Sequence, residues 1–116
     1  MIEKTAADVR EQFQSGDIDV EQLEQLYSGY SDVDDVKEFV SKGVEKFPEL
    51  CCGLASIYLK DRLGKGEVIN GSYSDKNHTF LRVDGNILDI TADQFGGPKL
   101  YFGPPEKPWS FEKGEL

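Results

Sequence analysis

The chain of 116 residues contains only one histidine, and its two cysteines are adjacent. Neighbouring cysteines rarely form a disulfide with each other, because the ring that would close is strained, so we expect two free thiols in a reducing cytosol. No apolar run is long enough to span a membrane, and the first residues lack the basic and apolar stretches of a signal peptide. The sequence therefore predicts a cytoplasmic protein, with export by a signal-free route left open.

Basic residues are also few. Thirteen Lys and Arg against 22 Asp and Glu give a formal net charge of −9. This charge disfavours binding to nucleic-acid phosphates and to anionic membranes. A hydrophobic content of 38%, with seven Phe and five Tyr, is sufficient for a packed core. Since no repeat or linker is visible, we expect a single domain over residues 1–116, with a helical N-terminal part (1–46), a central part (47–95) and an extended tail (96–116).

Hydrophobic periodicity predicts helices in the first half of the chain. Three amphipathic segments cover residues 5–13, 20–27 and a stretch that ends near residue 47. The predicted N-caps of these three segments are Thr5, Asp19, and either Ser31 or Asp32. Residues 50–63 are apolar on nearly every face, which predicts a buried central helix with Gly64 as its C-cap.

The second half predicts short strands. Residues 68–73, 78–83 and 87–92 are rich in β-branched and aromatic side chains between turn signals, and residues 99–102 are a fourth candidate. The proline-containing tail is expected to lie over the body, anchored by Trp109 and Phe111. Helices followed by a small antiparallel sheet define an α+β fold.

The pair Asp84-Gly85 is a strong signal for a two-residue hairpin loop. That loop pairs Val83 with Asn86 and puts His78 and Asp89 on one face as diagonal neighbours, about 7–8 Å apart at Cα. An imidazole–carboxylate hydrogen bond can span this separation. A three-residue loop would instead place the two side chains on opposite faces.

Cys52 is predicted to lie in the first turn of the buried helix. The free N–H groups and the positive end of the helix dipole lower the pKa of a thiol there, and the same N–H groups can bind a substrate oxyanion. Gly53 leaves its approach open, which favours Cys52 over Cys51. Together, Cys52, His78 and Asp89 form the set that thiol-based acyl transfer requires: nucleophile, base and orienting carboxylate.

Residues 47–95 resemble the papain-like cysteine hydrolases. The similarity is greatest to short bacterial papain-fold proteins related to the glutamine-deamidase domain of Pasteurella multocida toxin. Three stretches carry it: Cys52-Gly53-x-Ala55-Ser56, His78-x-Phe80 and Asp89-Ile90-Thr91-Ala92-Asp93-Gln94-Phe95. The last is the most specific.

The resemblance implies a papain-like arrangement, in which a buried helix carrying the cysteine packs on a small antiparallel sheet. It implies Cys52 as nucleophile, His78 as general base and acid, Asp89 as orienter, and Gln94 as a side-chain donor to the oxyanion. Leu54 and Phe80 depart from the family pattern, which has a small or acidic residue and a tryptophan there. Both departures affect the pocket and leave the catalytic groups intact.

The expected function is attack on a carboxamide through a thioester. Water as acceptor gives deamidation or peptide hydrolysis, and an amine gives transglutaminase-like cross-linking; the resemblance favours a glutamine deamidase that acts on a protein or peptide. The alternative is a catalytically silent protein-binding module that retains the fold.

No cofactor is expected, and the absence of Cys-x-x-Cys spacing disfavours a metal site. The oligomeric state is left open. Asp93 is expected to be a turn carboxylate and Trp109 a core anchor.

Overall fold

Four α-helices precede a five-stranded antiparallel sheet in the computed structural model, which describes residues 2–30, 35–49 and 51–112. The helices are α1 (Ile2–Ser15), α2 (Val20–Tyr30), α3 (Val36–Lys46) and α4 (Cys52–Leu63). The strands are β1 (Glu67–Tyr73), β2 (Lys76–Val83), β3 (Asn86–Asp89), β4 (Tyr101–Gly103) and β5 (Trp109–Ser110), and a 3₁₀ helix (Ala92–Phe95) follows β3. Their order across the sheet is β4-β3-β2-β1-β5. The predicted α+β class is confirmed.

Helix α4 is the central element of this arrangement. It packs against α1, α2, β1 and β2, and its residues 54–59 are all buried. Gly64 ends the helix in the left-handed region (φ +72°), and its N–H donates to Lys60 O at 2.9 Å. The prediction of a buried helix with a glycine C-cap is therefore confirmed, with Leu50 lying outside the described residues.

The helix boundaries differ from the predictions in two places. Helix α1 begins at Ile2, so Thr5 lies inside it, and α2 continues three residues beyond the predicted end, to Tyr30. A glycine inside a helix costs about 1 kcal/mol, yet α2 passes through Gly29. The Tyr30 hydroxyl accepts a hydrogen bond from Asn70 of β1 at 3.0 Å. This tertiary contact offsets part of the local cost.

Aspartate side chains cap the second and third helices. Asp19 Oδ1 accepts from the N–H of Gln22 at 3.1 Å, as predicted. Asp35 Oδ1 accepts from the N–H of Glu38 at 3.1 Å and caps α3. The predicted caps of the third helix, Ser31 and Asp32, lie outside the described residues.

The β2–β3 register agrees with the hairpin prediction. Asp84 (φ +52°) and Gly85 (φ +81°) both adopt positive φ, as a tight two-residue loop requires. Val83 pairs with Asn86, and the ladder continues to Leu81 and Leu88.

Strand β3 is shorter than the sequence predicted. It ends at Asp89 instead of residue 92 because the Asp89 side chain accepts a hydrogen bond from the N–H of Thr91 at 2.9 Å, which turns the chain into the 3₁₀ helix. The predicted fourth strand forms as β4, shifted slightly towards the C-terminus, and Tyr101 of β4 pairs with Asp89.

Both faces of the sheet are covered. Leu81 and Val83 point into a core shared with the helices. The alternate residue Phe80 points the other way and packs with Ile87, Tyr73 and Trp109, and alternation places His78 and Asp89 on this second face as well.

The tail adds the edge strand β5 beside β1, with Trp109 opposite Tyr73. Trp109 is 7% exposed, which confirms it as an anchor, whereas Phe111 is 42% exposed and the prediction that it anchors the tail is wrong. Phe111 lies at the sheet edge, where its ring is 6.2 Å from that of Phe80.

Residues 113–116 lie outside the described residues. Across the described ranges, no helix combines the length and apolarity needed to cross a membrane.

Candidate active site

Cys52 is the first residue of α4. The first bond of the helix runs from the N–H of Ala55 to Cys51 O at 2.8 Å, so the N–H groups of residues 52–54 have no acceptor within the helix. Cys51 provides no side-chain cap, and the first turn carries no acidic residue. The positive end of the helix dipole is thus not compensated locally, and it stabilises a thiolate at Cys52.

His78 and Asp89 are in direct contact, as the predicted register requires. His78 Nε2 lies 2.7 Å from Asp89 Oδ2. Both residues are 2% exposed. The bond fixes the orientation of the ring. Because Nε2 is bonded to the carboxylate, Nδ1 is the nitrogen that can exchange a proton with a thiol.

The carboxylate of Asp89 is held by four donors. Oδ2 accepts from His78 and, at 2.8 Å, from the indole N–H of Trp109. Oδ1 accepts from the N–H of Thr91 at 2.9 Å and from its hydroxyl at 3.3 Å. Buried carboxylate oxygens need such donors to replace the hydrogen bonds they would make to water. The sequence reasoning missed Trp109 as a donor to Asp89, since 20 residues separate the two and no local pattern links them.

Aromatic rings enclose the imidazole of His78. Phe95 meets it edge-on with 5.1 Å between ring centroids, and Tyr73 does so at 6.3 Å. Burial by itself disfavours the charged ring, but the interactions with Asp89 and Cys52 outweigh burial and raise the pKa of His78 to about 9. The ring is therefore held as an imidazolium at neutral pH.

The two cysteines have opposite ionisation behaviour. Burial disfavours the Cys52 thiolate, but the interactions with His78 and Thr79 outweigh burial and hold the pKa of Cys52 below its ordinary value. Burial, together with the neighbouring Cys52, raises the pKa of Cys51 to about 12. Of the two, only Cys52 is poised as a nucleophile.

The His78–Cys52 contact is loose. His78 Nδ1 is buried and meets no donor or acceptor in hydrogen-bonding geometry within the described chain. The thiol nevertheless lies close enough to affect the pKa of the imidazole. Catalytic hydrogen bonds are often long in ligand-free enzymes and shorten when substrate binds.

A cavity of about 230 Å³ opens onto the thiol and the imidazole. Cys52, His78 and Thr79 line it together with residues of β1 and the start of β2: Asn70, Gly71 and Asn77. Asn70 is held by the hydroxyl of Thr79, which donates to its Oδ1 at 2.9 Å. Apart from Cys52 and His78, the lining residues are neutral, and all but Gly71 have polar side chains.

Gln94 has a local partner. Its side-chain Nε2 donates to Thr91 O at 3.1 Å, inside the turn that follows β3. The cavity lining contains Cys52 and His78 but not Gln94. The role of Gln94 as an oxyanion donor stays a prediction.

Arg10 of α1 connects the N-terminal helices to the turn after Asp89. Its guanidinium forms two bonds with the Asp93 carboxylate, at 2.8 and 2.7 Å, and also donates to Ile90 O and Lys99 O. Its side chain is 7% exposed. The predicted turn carboxylate Asp93 is thus half of a partly buried ion pair. Sequence reasoning missed this, because 83 residues separate the partners.

No family model, curated protein or solved structure matches the chain. Within residues 2–30, 35–49 and 51–112, no three His, Cys, Asp or Glu side chains are grouped so that they could hold a metal ion.

Proposed function

We propose that this chain is a cysteine-dependent amidohydrolase or acyltransferase with a papain-like fold, acting on a carboxamide through a thioester. The observation that carries the proposal is the 2.7 Å contact between His78 Nε2 and Asp89 Oδ2 beside the helix that begins at Cys52. A thiol at a helix start, an imidazole and an orienting carboxylate are the groups this chemistry requires. The chain order, with the cysteine helix before the strands that carry histidine and acid, supports the papain-like assignment.

In the first half-reaction, Sγ of Cys52 bonds to the carboxamide carbon and the carbonyl electron pair moves onto oxygen. The N–H groups of the first turn of α4 are available to bind this oxyanion. When the carbonyl re-forms, the C–N bond breaks. His78 gives the leaving nitrogen the proton it took from the thiol, so the products are a thioester and ammonia or an amine.

The second half-reaction regenerates the thiol. A water molecule attacks the thioester carbon while His78 takes one of its protons, and the C–S bond breaks to release a carboxylic acid. An amine in place of water gives a cross-linked amide. The resemblance favours water and a protein glutamine as the reacting pair.

The proposed setting is the cytoplasm, where adjacent free thiols persist. Both cysteines are free in the structure. A net charge of −9 supports a polypeptide as partner in preference to a nucleic acid.

The decisive experiment is the pH dependence of iodoacetamide alkylation, with the modified residue located by mass spectrometry. We expect Cys52 to react with an apparent pKa well below that of a free thiol, about 8.5. Cys51 is the internal control, because burial raises its pKa to about 12 and the folded protein should leave it unmodified.

The His78→Ala and His78→Gln variants identify the source of the reactivity. Both should raise the apparent pKa of Cys52 alkylation, and the glutamine variant preserves more of the ring's volume if the alanine variant fails to fold. If both cysteines stay inert until the wild type unfolds, the proposal is wrong, and a catalytically silent binding module becomes the better description.

A further inference from the structure

A second groove lies between α2, α4 and β1. Its volume of about 410 Å³ is larger than that of the catalytic cavity. It is also within the range of ligand-binding pockets, about 300–1,000 Å³. Leu26, Ile57 and Val68 provide apolar side chains, and the charged lining residues are Lys60, Asp61 and Lys65. The catalytic chemistry described above uses none of these residues.

The groove adjoins the catalytic cavity. Val68 lines the groove and Asn70 lines the cavity, and residues two apart on a strand point to the same side. Tyr30 lines the groove and accepts the hydrogen bond from Asn70 at 3.0 Å, so this bond joins the linings of the two spaces.

Helix and strand geometry give the distance between the cavity at Cys52 and the groove. From Cys52 to Ile57 the helix rises about 7.5 Å, and to Gly64, at the far end of the groove, about 18 Å. The step from Asn70 to Val68 along β1 is about 7 Å. An extended peptide covers about 3.3–3.6 Å per residue, so the groove corresponds to positions about two to five residues from a side chain held at Cys52.

We propose that this groove binds the polypeptide flanking the reacting carboxamide. It takes an apolar side chain from a residue about two to five positions away from the residue that carries the carboxamide. The inference rests on the proposed function and adds that the substrate is an extended polypeptide, not a free small amide. Two of the charged lining groups have partners, since Lys65 is paired with Asp84 at 2.8 Å and Asp61 accepts a hydrogen bond from Gln22 at 3.2 Å. Lys60 has no ion pair in the described part of the chain. A glutamate beside the apolar residue would therefore strengthen binding.

The test uses blocked glycine–serine peptides in which a chloromethyl ketone replaces the glutamine carboxamide. Sγ of Cys52 displaces chloride from this group, so labelling reports binding without requiring turnover. A single leucine is moved from one to six residues away, on either side of the reactive position. Each second-order labelling rate, located at Cys52 by mass spectrometry, is divided by the iodoacetamide rate of the same protein.

The Gly29→Leu variant fills the groove. A Cβ at Gly29 meets no atom within 4 Å and the residue lies in a helix, so the substitution is compatible with the fold. Gln14→Leu is the matched control, because it adds the same side chain at an exposed position of α1 outside the groove. The Lys60→Gln variant tests the charge with peptides that carry glutamate beside the leucine.

We expect wild type and Gln14→Leu to react at least tenfold faster with peptides whose leucine stands two to five residues from the reactive position. Gly29→Leu should abolish this preference, and Lys60→Gln should remove the additional effect of glutamate. Equal rates across the peptides, or an unchanged preference in Gly29→Leu, would overturn the inference while the iodoacetamide result upheld the thiol site. An inert Cys52 would overturn the proposed function itself.

Discussion

The indole N–H of Trp109 donates to the same oxygen of Asp89 that accepts from His78, at 2.8 Å. The tail of the chain therefore completes the site that the central residues form. Because β5 carries Trp109 and pairs with β1, the orientation of the Asp89 carboxylate depends on the docking of a two-residue strand.

The Trp109→Phe variant keeps an aromatic ring and removes the N–H donor. A hydrogen bond to a charged group is worth about 1.5–3 kcal/mol, so we expect a loss of that size in the free energy of unfolding, measured by urea denaturation with circular dichroism. The apparent pKa of Cys52 alkylation should also rise, because Asp89 holds the imidazolium less firmly. Tyr101→Phe is the control, since its hydroxyl bonds to Pro104 O and Glu106 Oε1 at the surface, where water can replace it. Equal effects in both variants would refute a special role for the indole.

The Asp89→Asn variant tests the source of the charge on His78. Asp89 contributes to raising the pKa of His78 to about 9, and burial acts in the opposite direction. Without the carboxylate we expect that pKa to fall, because burial then acts against the charged ring with one partner fewer. Because the chain has one histidine, its imidazole proton resonance can be followed by NMR without assignment. Asp84→Asn, which removes a surface carboxylate, should leave the pKa of His78 unchanged.

The pH dependence of acyl transfer separates the two roles of His78. In the proposed mechanism the protonated imidazole supplies a proton to the leaving nitrogen, and the pKa of His78 is about 9. The rate of ammonia release should therefore fall as the pH rises through about 9. Iodoacetamide alkylation needs no acid, so its rate should stay high over the same range. A parallel fall in both rates would mean that the protein loses its structure there, and not that an acid is lost.

The ion pair between Arg10 and Asp93 should contribute strongly to stability. Removing one member of a fully buried pair costs about 3–5 kcal/mol, because the other charge is left unpaired. The Asp93 side chain is 19% exposed, so we expect a smaller loss here. We expect Arg10→Met and Asp93→Asn each to lower the free energy of unfolding, and the double variant to lose much less than the sum. A double-mutant cycle by urea denaturation measures the coupling. Additive losses would show that the two side chains act independently.

Gly71 should not tolerate a side chain. A Cβ at this position would overlap the carbonyl oxygen of Ser110, which belongs to the backbone of β5. We expect Gly71→Ala to displace β5 and with it Trp109, lowering both the free energy of unfolding and the rate of Cys52 alkylation at neutral pH. Gly29→Ala is the control, because its Cβ meets no atom within 4 Å. If Gly71→Ala reacts as wild type does, β5 does not support the site.

Local patterns in the sequence were enough to predict the central helix and the β2–β3 hairpin. The apolar run of residues 50–63, ended by Gly64, can be satisfied only by burial on most sides, and Asp84-Gly85 permits a two-residue loop with positive φ. Because the side-chain period of a strand is two, that loop places His78 and Asp89 on one face. The sequence by itself therefore determined that this pair would meet.

Tertiary structure decided the contacts between distant segments. The bonds of Trp109 with Asp89 and of Arg10 with Asp93 join residues 20 and 83 positions apart, and neither follows from periodicity or from turn chemistry. Strand β3 ends at Asp89 because the Asp89 side chain accepts a hydrogen bond from the backbone of Thr91. Strand propensities of single residues do not include such a bond. The difference in pKa between two adjacent cysteines likewise arises from burial and from His78, both of which exist only after the chain has folded.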